Sequence, residues 1–389
     1  MKILIFLATL CAVSSQAVAA NRNIISRGNL TNSQLQFASG TGRVAFMGGS
    51  ITQMNGYRPM VMAWLQKRFP KTKFEFINAG ISSTCSTTGA FRLRSQVLAE
   101  GRVDLFFIEF AVNDDQDAAH ARRDCIRGLE GIIRQARKAQ PNMDIVVTHF
   151  VNPGMLAQLR AGKVPLAIAA HETVLKRYNV STIFLAREVA DRIDAGTLTW
   201  KEFGGTHPKP PGNAIAAAMI GQLLDSTWAK KLDKKPVAHV LPAKPLDEGS
   251  YFDGHFRSPA ESANAAWTWH VPDWKKIPGS FRSNPFGGMK LLTSTEPGKG
   301  TTVKFKGRAL GAYVLAGPDA GVLEVSVDGG EWKRVDLYHH HSRGLHYPRT
   351  VMFAADLNAG THTAKLQLSS KSNPLSKGTA ARILQFVVN

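Results

Sequence analysis

Val44-Ala45-Phe46-Met47-Gly48-Gly49-Ser50-Ile51-Thr52 is the stretch on which the reading of this chain turns. Four apolar residues of strand character run into two glycines and a serine, and a helix-compatible segment over 57–68 follows. A serine between a strand end and a helix start sits at a sheet edge. Backbone N–H groups converge there, and glycines leave room for a reacting group. Turns of this kind are common, so the stretch nominates Ser50 without assigning it a role.

The same grammar recurs on either side. Apolar runs at 44–47, 74–78, 103–110, 145–150 and 180–185 predict strands, and the segments 57–68, 91–99, 118–139, 165–178 and 212–229 predict helices between them. That alternation implies an α/β domain over 43–229, a parallel sheet covered on both faces with its chemistry at the carboxyl ends of the strands. Residues 21–42 are polar and glycine-containing and read as a lead-in. Residues 230–250 carry three prolines and many charges and read as a linker. Beyond it, the turn signals Gly317-Pro318-Asp319, Asp328-Gly329-Gly330 and Asn358-Ala359-Gly360 separate short alternating runs, which predicts an all-β sandwich over 251–389.

Three further stretches fall at predicted strand ends or just before the last helix. They are Asn78-Ala79-Gly80, Val112-Asn113-Asp114 and Gly204-Gly205-Thr206-His207-Pro208. In a parallel sheet all of them meet Ser50 at one edge. Ser50 then serves as nucleophile with His207 as its base. The amides of Ser50 and Gly80 and the side chain of Asn113 are donors for an oxyanion. Each piece alone has a structural explanation as a turn, a cap or a loop histidine; their order favours the joint reading.

Gly-Gly-Ser-Ile-Thr, Asn-Ala-Gly, Val-Asn-Asp and Thr-His-Pro resemble the four ordered blocks of the SGNH (GDSL-type) hydrolases. The resemblance covers about residues 43–229. It implies a flavodoxin-like three-layer α/β/α fold and ester hydrolysis through an acyl-enzyme, with Ser50, His207, Gly80 and Asn113 in the roles named above. The family usually carries aspartate three residues before the histidine, where this chain has Gly204. The orienting partner of His207 is therefore open between Glu202, the nearest acid upstream, another acid, and a backbone carbonyl. The C-terminal part resembles the jelly-roll-like accessory sandwiches attached to secreted carbohydrate esterases.

Other side chains carry two readings each. Tyr57 and Arg58 line an acyl or sugar pocket, or merely begin a helix. His346, with the loop of Tyr338, His339-His340-His341 and Arg343, packs on the catalytic domain or its substrate; neighbouring side chains of an extended stretch point apart, which argues against a metal tripod. Asp114, Asp115 and Asp117 lack the spacing of a calcium loop and read as the charge at a helix N-terminus. Trp267, Trp269, Trp274 and Trp332 stack on sugars or fill the core. No metal and no organic cofactor is expected.

Lys2, the apolar run 3–13 and Ala17-Val18-Ala19 predict a signal peptide over 1–20, hence a secreted or periplasmic protein without membrane insertion. Cys85 and Cys125 remain after it, either as a disulfide or as two buried thiols. The net charge of +19 arises from 48 Lys and Arg against 29 Asp and Glu. These are spread along the chain rather than gathered in a tract, so they leave no nucleic-acid footprint and favour acidic surfaces or polysaccharides. The expected function is a serine esterase that removes acetyl or another small acyl group from a polysaccharide or oligosaccharide. Its rivals are a lipid, aryl-ester or thioester hydrolase, and a carbohydrate-binding protein whose hydrolase domain has decayed.

Overall fold

The computed structural model describes residues 21–229 and 235–389; the expected signal peptide and residues 230–234 of the expected linker lie outside them. The first half is built on six strands, β1 (Ile24–Ile25), β2 (Thr41–Gly48), β3 (Lys73–Gly80), β4 (Leu105–Glu109), β5 (Asp144–Thr148) and β6 (Ser181–Ile183). They lie side by side as β1-β6-β5-β4-β2-β3. All pairings are parallel except that of β1 on β6. Counted from β2, the parallel strands follow the order 2-1-3-4-5 of flavodoxin-like sheets, whose direction of growth reverses between β2 and β4. Every residue of β4 and β5 is buried, because helices cover both faces. Tyr57–Arg68 and Pro210–Trp228 bury Val61, Leu65, Ile220 and Leu223 on one side. Ser86–Gln96 and Arg122–Ala139 bury Phe91, Leu93, Leu129 and Ile132 on the other.

The sequence reading and the structure differ at short elements. Residues 21–42 are no mere lead-in: β1 pairs with Ile183 and Thr182, and a helix over Thr31–Ala38 seats Leu30 and Phe37 in the core. Elements this short offer too few turns for periodicity to register. The helix expected from residue 118 begins at Arg122, because Asn113–Asp117 forms a separate wide turn. Helices at Pro153–Arg160 and Leu185–Asp194 were not anticipated.

The second half consists of antiparallel strands. One sheet joins Gly300–Gly307, Gly360–Leu368, Val322–Val327 and Lys333–Asp336; the other is centred on Leu310–Ala316 and Ala381–Val388. Gly300–Gly307 alternates exposed and buried residues as a half-covered strand does. Leu310–Ala316 is buried throughout. Its Leu310, Ala312 and Val314 face the sandwich core. Tyr313 and Leu315 instead join the core that holds Phe91 and Leu129 of the first half. The two halves therefore share a hydrophobic cluster. Polar contacts reinforce the seam: Thr88 Oγ1 lies 2.9 Å from Thr350 Oγ1, and Arg127 bridges Asp247 and Asp356. Trp267 is wholly buried, whereas Trp332 is about half exposed. Among the described residues no helix is long and apolar enough to cross a membrane.

Candidate active site

The site is assembled by contacts that only glycine permits. Ser50 opens a four-residue helix, Ser50–Gln53, behind Gly49, whose carbonyl accepts from the Gln53 N–H at 3.0 Å. A Cβ on Gly49 would overlap the side-chain amide of Asn113. One on Gly80 would lie 2.7 Å from the Thr52 carbonyl carbon, and one on Gly48 would lie 2.8 Å from Glu109 Oε2. The ends of β2, β3 and β4 thus press together where the sheet order reverses, which gathers Ser50, Gly80 and Asn113. Arg92, fully buried, fastens this edge: its guanidinium donates to the carbonyls of Gly48 (2.9 Å) and Ala79 (2.5 Å). Burial pulls that guanidinium down to about 10.

His207 arrives from the far end of the domain. Its loop turns through Gly204 and Gly205, both at positive φ (104° and 85°), a backbone that residues with a Cβ resist. Buried Asn213 then anchors the loop, donating through Nδ2 to the carbonyls of Pro208 (2.6 Å) and Lys209 (3.1 Å). The result is a contact of 2.7 Å between His207 Nε2 and Ser50 Oγ. With Nε2 accepting the serine proton, the neutral ring carries its hydrogen on Nδ1. His207 itself is exposed.

Several expected residues stand elsewhere. Glu202 is spent on a helix cap, where its carboxylate accepts from the backbone N–H and hydroxyl of Thr199, both at 2.7 Å. Among the described residues no hydrogen bond joins it to His207. His346 is buried in the β domain with Nε2 on the Pro278 carbonyl, so it presents no surface to a substrate. Burial pulls it down to about 4. Tyr57 is no pocket wall either: it is buried, with its hydroxyl 3.1 Å from Thr52 Oγ1. Arg58 stays beside the serine helix, donating to the Thr52 carbonyl at 3.3 Å. Two of the three expected oxyanion donors, Gly80 and Asn113, are near the serine but engaged locally. The Gly80 N–H donates to Asn78 Oδ1 (3.1 Å) and Asn113 Nδ2 to Asp117 Oδ2 (2.5 Å). Asp114 is no solvated helix charge. It is buried and accepts from the Ser86 N–H (2.8 Å), the Ser86 hydroxyl (2.7 Å) and His171 Nε2 (2.8 Å). Cys85 and Cys125 are both buried free thiols.

Sequence reasoning missed Glu109, which lies wholly buried beneath the serine turn. Thr52 Oγ1 donates to its Oε2 at 3.3 Å, and Oε1 has no hydrogen-bond partner among the described residues. Burial, with the negative charges of Asp114 and Asp117 nearby, pushes its carboxyl up to about 8. A signal was available, since an acid inside Leu105-Phe106-Phe107-Ile108-Glu109-Phe110 interrupts an otherwise apolar strand. Arg92 and Asn213 had none.

The β domain borders this edge. His339 Nε2 donates to the Asp117 carbonyl at 2.7 Å, and Arg282 donates to the Ser82 carbonyl (3.2 Å) and Ser83 Oγ (2.9 Å). Between the halves runs a cavity of about 690 Å³, with Gln53, Gly80 and Ile81 on one wall and Phe256, Phe286 and Tyr313 on the other.

A serine hydroxyl on an imidazole, at the reversal point of a 2-1-3-4-5 sheet, agrees with what family comparison finds. Residues 46–215 match the GDSL-like lipase/acylhydrolase family. The match spans 170 of the 389 residues, all of them in the α/β domain, and with it the chain reads as a carboxylic ester hydrolase. The chain matches no curated protein. Among solved structures it is similar to a two-domain esterase (CEX) active on acetylated mannans. The likeness has a TM-score of 0.73 at 20% identity, covering 94% of this chain and 96% of that one. The same esterase co-crystallised with mannopentaose matches over equal shares with a TM-score of 0.71, again at 20% identity. At that identity the likeness speaks for the fold, and it extends through both halves of the molecule.

Proposed function

We propose that this GDSL-like hydrolase removes acetyl groups from a polysaccharide or oligosaccharide after export, with Ser50 as nucleophile and His207 as general base. The observation that carries the reading is the 2.7 Å contact between Ser50 Oγ and His207 Nε2 beside Asn113 and Gly80. Ser50 Oγ attacks the ester carbonyl as its proton passes to His207 Nε2. The oxyanion is held by the amides of Ser50 and Gly80 and the side chain of Asn113, which exchange their local acceptors for it. Collapse of the tetrahedral species expels the sugar oxygen, which takes the proton from Nε2. Water then repeats the sequence and releases acetate. With Glu202 committed to Thr199, the site works as a Ser-His dyad. Support for a glycan substrate comes from the likeness to the acetylated-mannan esterase across both domains.

The aromatic wall of Phe256, Phe286 and Tyr313 along the interdomain cavity favours a second reading, a hydrolase of longer acyl esters. One experiment decides: acetate release from acetylated mannan and xylan, set beside rates on nitrophenyl esters of rising chain length. The proposal expects acetate release from a glycan that Ser50→Ala abolishes. A preference for acyl chains of about eight carbons with no release from any glycan would reject it.

A further inference from the structure

Away from the serine, a second group of reactive side chains is built into the first half. Cys85 Sγ, a carboxylate oxygen of Asp114 and a ring nitrogen of His120 all lie within 4.8 Å of one another. Cys85 and Asp114 are buried and His120 nearly so. We propose that these three side chains form a binding site for a zinc ion, ligated by Cys85 Sγ, Asp114 Oδ1 and His120 Nδ1, with the fourth position facing a cavity.

The first support is a distance. His120 Nδ1 is buried and has no hydrogen-bond partner among the described residues, yet it faces Asp114 Oδ1 at 3.5 Å. At that separation and orientation the pair makes no hydrogen bond. The distance suits two ligands of one tetrahedral ion, for which metal–ligand arms of about 2.0–2.1 Å give an edge of roughly 3.4 Å.

The second support is the shell around the ligands. Metal-binding side chains are characteristically held by outer hydrogen bonds, and here the tetrapeptide Cys85-Ser86-Thr87-Thr88 supplies one for each. Thr88 Oγ1 lies 3.7 Å from Cys85 Sγ. Thr87 Oγ1 lies 3.5 Å from His120 Nε2, the nitrogen that Nδ1 ligation leaves free to donate. The Ser86 hydroxyl and His171 hold Asp114 Oδ2, while Oδ1 accepts from the Ser86 N–H at 2.8 Å and keeps a second lone pair for an ion. A thiolate, an imidazole and a carboxylate make a borderline-soft set that suits zinc rather than calcium or magnesium. Above them lies a cavity of about 290 Å³, bordered by Cys85, Thr87, His120, Asp117, Tyr347 and Arg349. Three protein ligands and one open position are the pattern of an accessible zinc site. Zinc binds the thiolate, and the thiol proton leaves to solvent. The inference stands independently of the esterase reading.

The test uses the tag-free full chain, reduced and stripped with a chelator, and titrated with cobalt(II) as a spectroscopic stand-in for zinc. The expected result is one equivalent bound with a sulfur-to-cobalt charge-transfer band, displaced by one equivalent of zinc. Cys85→Ser is expected to lose the band. Ser86→Ala is expected to keep it with affinity about 10–100-fold weaker. Cys125→Ser is expected to match wild type in both respects. Should Cys85→Ser fail to fold, His120→Asn takes its place, with binding weakened and the sulfur band altered. A wild-type protein that gives no sulfur band, or a folded Cys85→Ser variant that binds like wild type, overturns the proposal.

Discussion

His207 and Glu109 flank the same serine turn in opposite ways. The imidazole is exposed and makes one hydrogen bond among the described residues, to Ser50. The carboxyl is wholly buried behind Gly48, against Thr52. Asn113 and Arg92, also buried, complete the floor. The contrast teaches that the proposed reacting groups are held lightly at the rim while the backbone that aims them is held tightly from below. A proton-transfer base needs access to substrate and water; the serine turn needs a fixed geometry.

Breaking the rim should have the largest effect. Ser50→Ala and His207→Ala are each expected to cut kcat by about 10⁴ or more, and the double variant no further, because residues that act as a unit are not additive. Steady-state rates on an acetyl ester check this, and retained turnover in Ser50→Ala would remove the nucleophile from the account.

Breaking the floor comes next. Gly49→Ala thrusts a methyl group into the Asn113 amide. The expected cost is about 10²-fold in kcat if an oxyanion donor is displaced, with about 1–3 kcal/mol of stability lost to overpacking. Activity and melting temperature report the two separately.

Glu109 sharpens the comparison through pH. The folded protein holds this proton up to about 8, whereas an unfolded glutamate releases it near 4.3. The folded state therefore binds the proton more tightly, so stability from this group is greatest below the unfolded value. It declines as pH rises toward 8 and levels off above. Glu109→Gln should flatten that decline and melt higher than wild type at alkaline pH; parallel melting curves for the two proteins between pH 5 and 9 would contradict it.

The smallest effect belongs to Glu202. Removing its side of the capping box by Glu202→Ala is expected to lower the melting temperature slightly and to leave kcat within about threefold of wild type, an outcome consistent with a structural role only. A hundredfold loss of kcat would restore it as the partner of His207.

Much of the architecture was legible because its signals are local. Apolar strands separated by amphipathic helices announced a parallel sheet, and turns between alternating runs announced an antiparallel one. Elements too short for periodicity, such as Ile24–Ile25 and Thr31–Ala38, were missed. Of the site, Ser50, Gly80, Asn113 and His207 were nominated by position at strand ends. Glu202 was nominated by nearness in sequence, which says nothing about direction; its carboxylate folds back on Thr199 as a helix cap. His346 was nominated as a polar residue in a loop and lies buried on a carbonyl.

By itself, the sequence determined which residue types stand at the ends of strands, since hydrophobic period and glycine placement act over a few residues. Only the tertiary structure decided which of those ends touch, what lies behind them, and which polar groups are already satisfied. Those outcomes depend on burial and on contacts between segments more than a hundred residues apart, such as Ser50 with His207. No local pattern of side chains encodes them.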